Sequence, residues 1–410
     1  MARAVRPGPQ LSNYRRAVGP GVVSGAADTD PTTVATLVVI GATTMYGLAW
    51  LTLLIVPVLA VVQTLATRLG AVSGRDLQEA VAQRYNRPVS ALLMVSILAV
   101  NVVTVAADLK AGAAAMNLLT GVAERWLVLP FAVALLALLL FGRYDEVQRI
   151  LKYVMLCLLG YGVAALLAHP DWAEVARGLV PSLHADAGYI AGALALLGTT
   201  LTIYMYVWQT VEQVEEPVPP DRLRLREFDG VVGAVLAGAV FWFILVASGA
   251  TLGVHHMRVD TAEQAAEALR PLAGPLAGEL FAIGLLASAI IALPVILAAG
   301  GYAAAAHAGW SRGLSRRVTQ APGFYAVIVG QAVLGCVLAF IGVNPIRLLF
   351  IASLVAGVAT PLGLIMLTLV AGDRRLMGER RVGRGLRVAG WVIVVLVSVV
   401  SAIYLAQQFG

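Results

Sequence analysis

The sequence is short of charge. Asp, Glu, Lys and Arg make up 13% of its 410 residues, and 60% are hydrophobic. Soluble domains carry about a quarter charged residues, so this balance excludes one and leaves a polytopic helical membrane protein. Cysteine is nearly absent as well: Cys157 and Cys336 each lie inside an apolar run. That excludes a disulfide framework and a cysteine-based metal site, and both read as small buried thiols. The histidines are few. His169, His184, His255 and His256 fall in outer loops and His307 at the inner end of a span. With none deep in a span beside a second ligand, an intramembrane zinc enzyme and Ser/His catalysis are both excluded. The basic N-terminus, with Arg3, Arg6, Arg15 and Arg16, lacks the apolar core and cleavage site of a signal peptide and reads as a cytoplasmic lead-in. No stretch reads as a separate soluble domain. A net charge of +6 would raise nucleic acid as a partner, but the basic residues sit in short loops between apolar runs. The expected partner is the lipid bilayer, with no nucleic acid.

What is present is a series of runs long enough to cross a bilayer, which takes about 20 mostly apolar residues each. Eleven qualify, near residues 17–44, 47–67, 89–120, 126–142, 147–168, 187–213, 229–253, 276–306, 322–342, 346–371 and 387–407. Arg and Lys concentrate in alternate connections: the lead-in, Arg68 to Arg87, Arg143 to Lys152, Arg222 to Arg226, Arg312 to Arg317, and Arg374 to Arg387. The opposite side holds Arg125, Arg177, Arg258, Arg270 and Arg347. The positive-inside rule then puts the N-terminus in the cytoplasm and the C-terminus outside, as in an inner (cytoplasmic) membrane.

Two halves of five spans each, 15–168 and 186–371, followed by an extra helix at 387–407, have opposite orientations if they arose by duplication. That is the inverted-repeat pattern of secondary transporters, which places interrupted helices at matching positions of the two halves. The first span carries such an interruption. Asp28-Thr29-Asp30-Pro31-Thr32-Thr33 puts two carboxylates and a proline into an apolar run. A charge at the bilayer centre costs about 2.5 to 3.5 kcal/mol, so intramembrane aspartates mark an ion or substrate path. Pro31 removes a backbone donor and breaks the helix. The plainer alternative makes Asp28 or Asp30 a cap for a helix that opens at Pro31. The matching position, span 6, reads Leu197-Gly198-Thr199-Thr200-Leu201-Thr202-Ile203-Tyr204 and lacks proline. Its threonines either mark an unwound segment or bond back to the preceding turn of an intact helix.

Carboxylate, hydroxyl and carbonyl oxygens suit hard cations. Asp30 is the expected principal ligand of a divalent ion. Asp28, the hydroxyls of Thr33 and Thr202, and freed carbonyls near Ala27 and Thr199 are candidates to complete the shell, with helix packing as the plain alternative for the threonines. Asp108 and Lys110 lie inside span 3, two apart, and cannot pair with each other on a helix. Lys110 is expected either to pair with an acid on another span, Asp28 foremost, or to snorkel towards water. Glu212, Glu215 and Glu216 form either an acidic exit vestibule or a solvated helix end.

These residues resemble those of the natural resistance-associated macrophage protein (Nramp) family, specifically its divergent prokaryotic relatives. Gly19-Pro20-Gly21 and Asp30-Pro31-Thr32-Thr33-Val34-Ala35-Thr36 are similar to the first-helix signature, whose usual form is Asp-Pro-Gly-Asn. The likeness continues through Gln63, Arg68-Leu69-Gly70, Gly74-Arg75-Asp76-Leu77, Asn117-Leu118-Leu119, Ala292-Leu293-Pro294, and Asn344-Pro345 to Pro361. It implies an all-α fold of the LeuT type and a transporter, not an enzyme. It also implies a divalent metal carried by alternating access at a site between the first and sixth helices, and no cofactor beyond that cargo. The departures matter too. Thr33 stands where the family has asparagine, and Thr202-Ile203-Tyr204 where it has Met-Pro-His. The soft thioether and the histidine linked to proton coupling are therefore replaced. Span 9 holds no arginine, and Asp108 falls on the second acidic position of span 3 while Val105 falls on the first. The resemblance thus favours Mg²⁺ or Mn²⁺ with weak or absent proton coupling, and leaves Tyr204, Asp108, Lys110 and Glu212 as candidate path residues. A carrier of a small organic solute and a non-transporting membrane sensor are the alternatives.

Overall fold

The computed structural model describes residues 28–141, 160–182, 186–217, 219, 222–255, 257–270 and 274–409. Its helices are α1 (Pro31–Thr44), α2 (Ala49–Ser73), α3 (Leu77–Arg84), α4 (Arg87–Thr120), α5 (Glu124–Phe141), α6 (Gly160–Leu167), α7 (Trp172–Gly178), α8 (Ala187–Thr200), α9 (Ile203–Glu215) and α10 (Leu223–Ser248). They continue with α11 (Ala262–Ala266), α12 (Ala277–Ala308), α13 (Pro322–Ala339), α14 (Pro345–Ala371), α15 (Arg374–Met377) and α16 (Arg384–Phe409). Among the described residues, eight segments are long and apolar enough to cross a membrane: α2, α4, α8 with α9, α10 with the turn after it, α12, α13, α14 and α16. Helices α1, α5 and α6 fall on three further expected runs, of which residues 17–27 and 147–159 lie outside the described residues. The all-α reading holds, and the sixth span is divided between α8 and α9.

The helix starts follow local chemistry. Pro31, Pro322 and Pro345 open their helices at the first position, where a missing N–H costs nothing. Asp30, Asp76, Asn86 and Asp186 each turn a side-chain oxygen onto an N–H of the first turn. By contrast Pro294 and Pro361 sit within α12 and α14 without ending them. Membrane helices tolerate this because neighbours satisfy the freed groups.

Helix α1 lies at the centre, against α4, α8, α10, α12 and α14. Helix α8 crosses α14 where both backbones come close: a Cβ on Gly198 would stand 2.2 Å from the Ser353 carbonyl oxygen and 2.4 Å from the Gly357 amide. Only glycine permits that approach, as small residues do at membrane helix crossings. The crossing holds the end of α8 beside the start of α1.

Candidate functional site

The start of α1 and the break in the sixth span lie side by side. Residues 28–30 form a turn from which α1 starts, with Asp30 extended at φ −71° and ψ 169°. In the sixth span, Leu201 and Thr202 leave the helical range, Thr202 having ψ 140°, and α9 begins at Ile203. This break forms without proline. Its loose carbonyls are taken up by hydroxyls: Thr202 donates to the Gly198 and Thr199 carbonyls at 2.6 and 2.9 Å, and Thr360 of α14 donates to the Leu201 carbonyl at 3.1 Å. Just before α1, Ser288 of α12 donates to the Thr29 carbonyl.

Asp30 is the junction. Its Oδ1 accepts from the Thr33 amide at 2.7 Å and the Thr32 hydroxyl at 2.6 Å, and the Thr199 hydroxyl stands 3.5 Å away. Its Oδ2 accepts from the Tyr204 hydroxyl at 2.7 Å. The Thr199 oxygen lies 2.8 Å from both the Thr32 and Thr33 hydroxyls, and Thr33 donates to the Asp28 carbonyl at 3.0 Å. A carboxylate, four hydroxyls and an amide thus meet between α1, α8 and α9. All are fully buried; Asp30 is 1% exposed and Tyr204 0%. The cap and the polar centre, alternatives on the sequence, are the same residue: Asp30 caps α1 and gathers the hydroxyls.

The sequence-predicted residues divide around this centre. Thr33 and Tyr204 are in it. Thr199 enters through its hydroxyl, whereas its carbonyl, the expected donor, accepts from Thr202. The Thr202 hydroxyl is turned back onto its own preceding turn. Ala27 lies outside the described residues. Asp28 is 1% exposed and faces a different space, a small cavity of about 10 Å³ lined among others by Gln63, Thr200, Met205 and Gln209. Asp108 of α4 is fully buried and within electrostatic reach of Asp30. Among the described residues its carboxylate oxygens have no hydrogen-bond partner. No three His, Cys, Asp or Glu side chains among the described residues converge on one point.

Of the alternatives for Lys110, the pairing with Asp28 is not found, and the acid it approaches on another helix is Glu124. The Lys110 Nζ donates to the Ala339 and Ile341 carbonyls, at 3.2 and 3.0 Å, and lies 3.7 Å from Glu124. The last carbonyls of α13 lack intrahelical partners and attract a cation. They draw the ammonium to the end of its span. Glu212 is buried, with the Trp208 indole donating to it at 3.0 Å, so it is not part of a solvated end. Glu215 accepts from Tyr302 at 2.5 Å, and Glu216 pairs with Arg226 at 3.2 Å.

The sequence reading left Thr32, Ser288 and Thr360 out of the site. The signal for them was the break itself, since every carbonyl freed in a bilayer needs a donor from a neighbouring span.

Comparison with known proteins decides the family. The family model described as natural resistance-associated macrophage protein-like matches residues 21–407. The chain belongs to the Nramp family. Among curated Nramp relatives, the divalent metal cation transporter MntH of Deinococcus radiodurans is 28% identical over 96% of this chain and 90% of its own length. The protein of the same name from Ralstonia nicotianae is 31% identical over 96% and 91%. Among solved structures, the Eremococcus coleocola manganese transporter, in complex with an aromatic bis-isothiourea substituted compound, superposes with a TM-score of 0.80. It is 18% identical and covers 99% of this chain and 90% of that one. Mhp1, a nucleobase-cation-symport-1 family transporter, superposes at 0.61 with 15% identity over 96% and 93%. The fold is that of the LeuT-type transporters, and this Nramp chain is an integral membrane protein, not an enzyme.

Proposed function

We propose that this Nramp protein carries a divalent metal cation across the membrane by alternating access, with Asp30 as the principal ligand and Mn²⁺ or Mg²⁺ as cargo. The observation that carries the reading is the meeting of Asp30 with Thr32, Thr33, Thr199 and Tyr204 where α1 starts and the sixth span breaks. A hydroxyl is a donor with two lone pairs. Each threonine that now donates into the cluster can rotate its proton away and offer a lone pair to a cation. Carboxylate and hydroxyl oxygens favour hard ions, and Mg²⁺ or Mn²⁺ can keep waters where protein ligands run short. The names of the curated relatives and of the Eremococcus coleocola protein support a divalent metal, manganese included.

Tyr204 supports weak or absent proton coupling. A phenol ordinarily holds its proton well above neutral pH, whereas an imidazole exchanges one near it. At this position Tyr204 positions Asp30 rather than relaying a proton. The N-terminus faces the cytoplasm and the C-terminus the outside, following the basic loops. The carrier of an organic solute loses its chief support because Lys110 does not neutralise Asp28.

The test is metal flux into proteoliposomes. Mn²⁺ or Mg²⁺ uptake by the wild type, abolished in Asp30→Ala, is expected. Cd²⁺ uptake without Mn²⁺ or Mg²⁺ would refute the choice of ion, and full uptake by Asp30→Ala would refute the site.

A further inference from the structure

Asp28 is a buried carboxylate that the Asp30 centre does not use. It is 1% exposed, and neither of its oxygens has a hydrogen-bond partner among the described residues. Its backbone carbonyl joins the hydroxyl cluster through Thr33, but its side chain lines the cavity between α2 and α9. The charge within its electrostatic reach is that of Asp30, which has the same sign. Lys110, the ammonium inside the spans, is held at the end of α13. A carboxylate so placed is expensive unless a positive charge is brought to it.

A second acceptor waits in the same cavity. Gln63 of α2 is 5% exposed, and its Oε1 also lacks a partner among the described residues. Two acceptors cannot satisfy each other. The Thr200 hydroxyl, which also lines the cavity, donates to the Leu196 carbonyl and keeps lone pairs for a further contact. Gln209 closes the wall and is itself tied to Thr67 at 3.0 Å. The cavity thus gathers a carboxylate, an amide oxygen and a threonine, and neither the Asp28 oxygens nor Gln63 Oε1 has a hydrogen-bond partner among the described residues.

We propose that the Asp28–Gln63 cavity is a second cation site, distinct from the Asp30 centre, and that it takes one monovalent alkali cation of the size of Na⁺. A single carboxylate among neutral oxygens balances one positive charge, and an all-oxygen set suits a hard ion. The site lies between α2 and α9, with Asp28 just before α1. Occupancy therefore ties the start of α1 and the interrupted sixth span to α2 and is able to bias their movement. The inference stands apart from the identity of the Asp30 cargo.

The test is binding of ²²Na⁺ to the full-length purified protein, with choline chloride holding ionic strength constant, alongside Mn²⁺ binding to the same samples. The wild type binds ²²Na⁺ saturably. Asp28→Asn weakens that at least tenfold and Gln63→Leu severalfold, while both keep Mn²⁺ binding and Asp30→Ala keeps ²²Na⁺ binding. If Asp28→Asn does not fold, the Gln63→Leu result decides on the same terms. Absence of saturable ²²Na⁺ binding in the wild type overturns the site, as does unchanged binding in Gln63→Leu. Equal loss in Asp30→Ala and Asp28→Asn overturns the separation of the two sites. Failure of Mn²⁺ to depend on Asp30 would count against the proposed cargo site and leave the sodium result to stand by itself.

Discussion

The Tyr204 hydroxyl donates to Asp30 Oδ2 at 2.7 Å, linking the first turn of α9 to the cap of α1. A cation that binds Asp30 through that oxygen competes with this bond. Hydrogen bonds to charged groups contribute about 1.5–3 kcal/mol, and 1.4 kcal/mol is tenfold in affinity. Tyr204→Phe is expected to lower thermal stability without metal and to tighten Mn²⁺ binding by about tenfold. Isothermal titration beside thermal unfolding reads both. Weaker Mn²⁺ binding would make Tyr204 a ligand instead of a competitor.

Thr199 joins the two halves of the centre through one hydroxyl. Thr199→Val keeps the shape and removes the contacts to Thr32 and Thr33. The expected result is a metal affinity lower by roughly tenfold, the cost of one hydrogen-bonding group of about 1–1.5 kcal/mol. Retained folding is checked by size-exclusion profile.

Thr360 shares its hydroxyl proton between the Ala356 carbonyl of its own helix, at 2.8 Å, and the carbonyl that the break in the sixth span leaves at Leu201, at 3.1 Å. Thr360→Val strands that carbonyl in a buried place, at about 1–3 kcal/mol. The measurement is the unfolding midpoint in detergent, which should fall. An unchanged midpoint would mean that another donor reaches Leu201.

Lys110 holds the end of α13 and stands apart from Asp28. Lys110→Met should therefore leave ion selectivity and Mn²⁺ affinity unchanged while lowering stability. A changed selectivity in competitive uptake would restore the electrostatic role that the sequence had suggested.

Outside the spans, Arg84 grips Asp373. Burial alone would push this carboxyl up, but the Arg84 guanidinium and the Arg375 amide hold it below the usual carboxylate range. A folded value below the unfolded one means stability that is present above about pH 4 and is lost as pH falls through the lower folded value. Asp373→Asn should flatten the acid limb of a stability profile, measured by thermal unfolding between neutral and acid pH.

Much of this architecture was legible in the sequence because spans in a bilayer are written as apolar runs. The expected run at 126–142 became α5 at Glu124–Phe141, and that at 346–371 became α14 at Pro345–Ala371. The start of α1 was legible from Asp30-Pro31. The break in the sixth span carried no proline and followed only from the repeat; what makes it tolerable, the Thr360 hydroxyl, comes from a residue 159 positions away. The choice between the alternatives for Lys110 stayed open for the same reason. The carbonyls that capture it are separated from it by 229 and 231 positions, and no local pattern announces them. Thr199 was named for its carbonyl and serves through its hydroxyl, because the choice between them depends on how Thr202 turns.

The central claim is that a divalent cation binds at Asp30 where α1 starts and the sixth span breaks. Its most direct test is anomalous diffraction from crystals soaked in Mn²⁺, collected on either side of the manganese absorption edge. The account predicts one anomalous peak within coordination distance of the Asp30 carboxylate, bordered by the hydroxyls of Thr32, Thr33 and Thr199. A peak elsewhere, with none at Asp30, would contradict it.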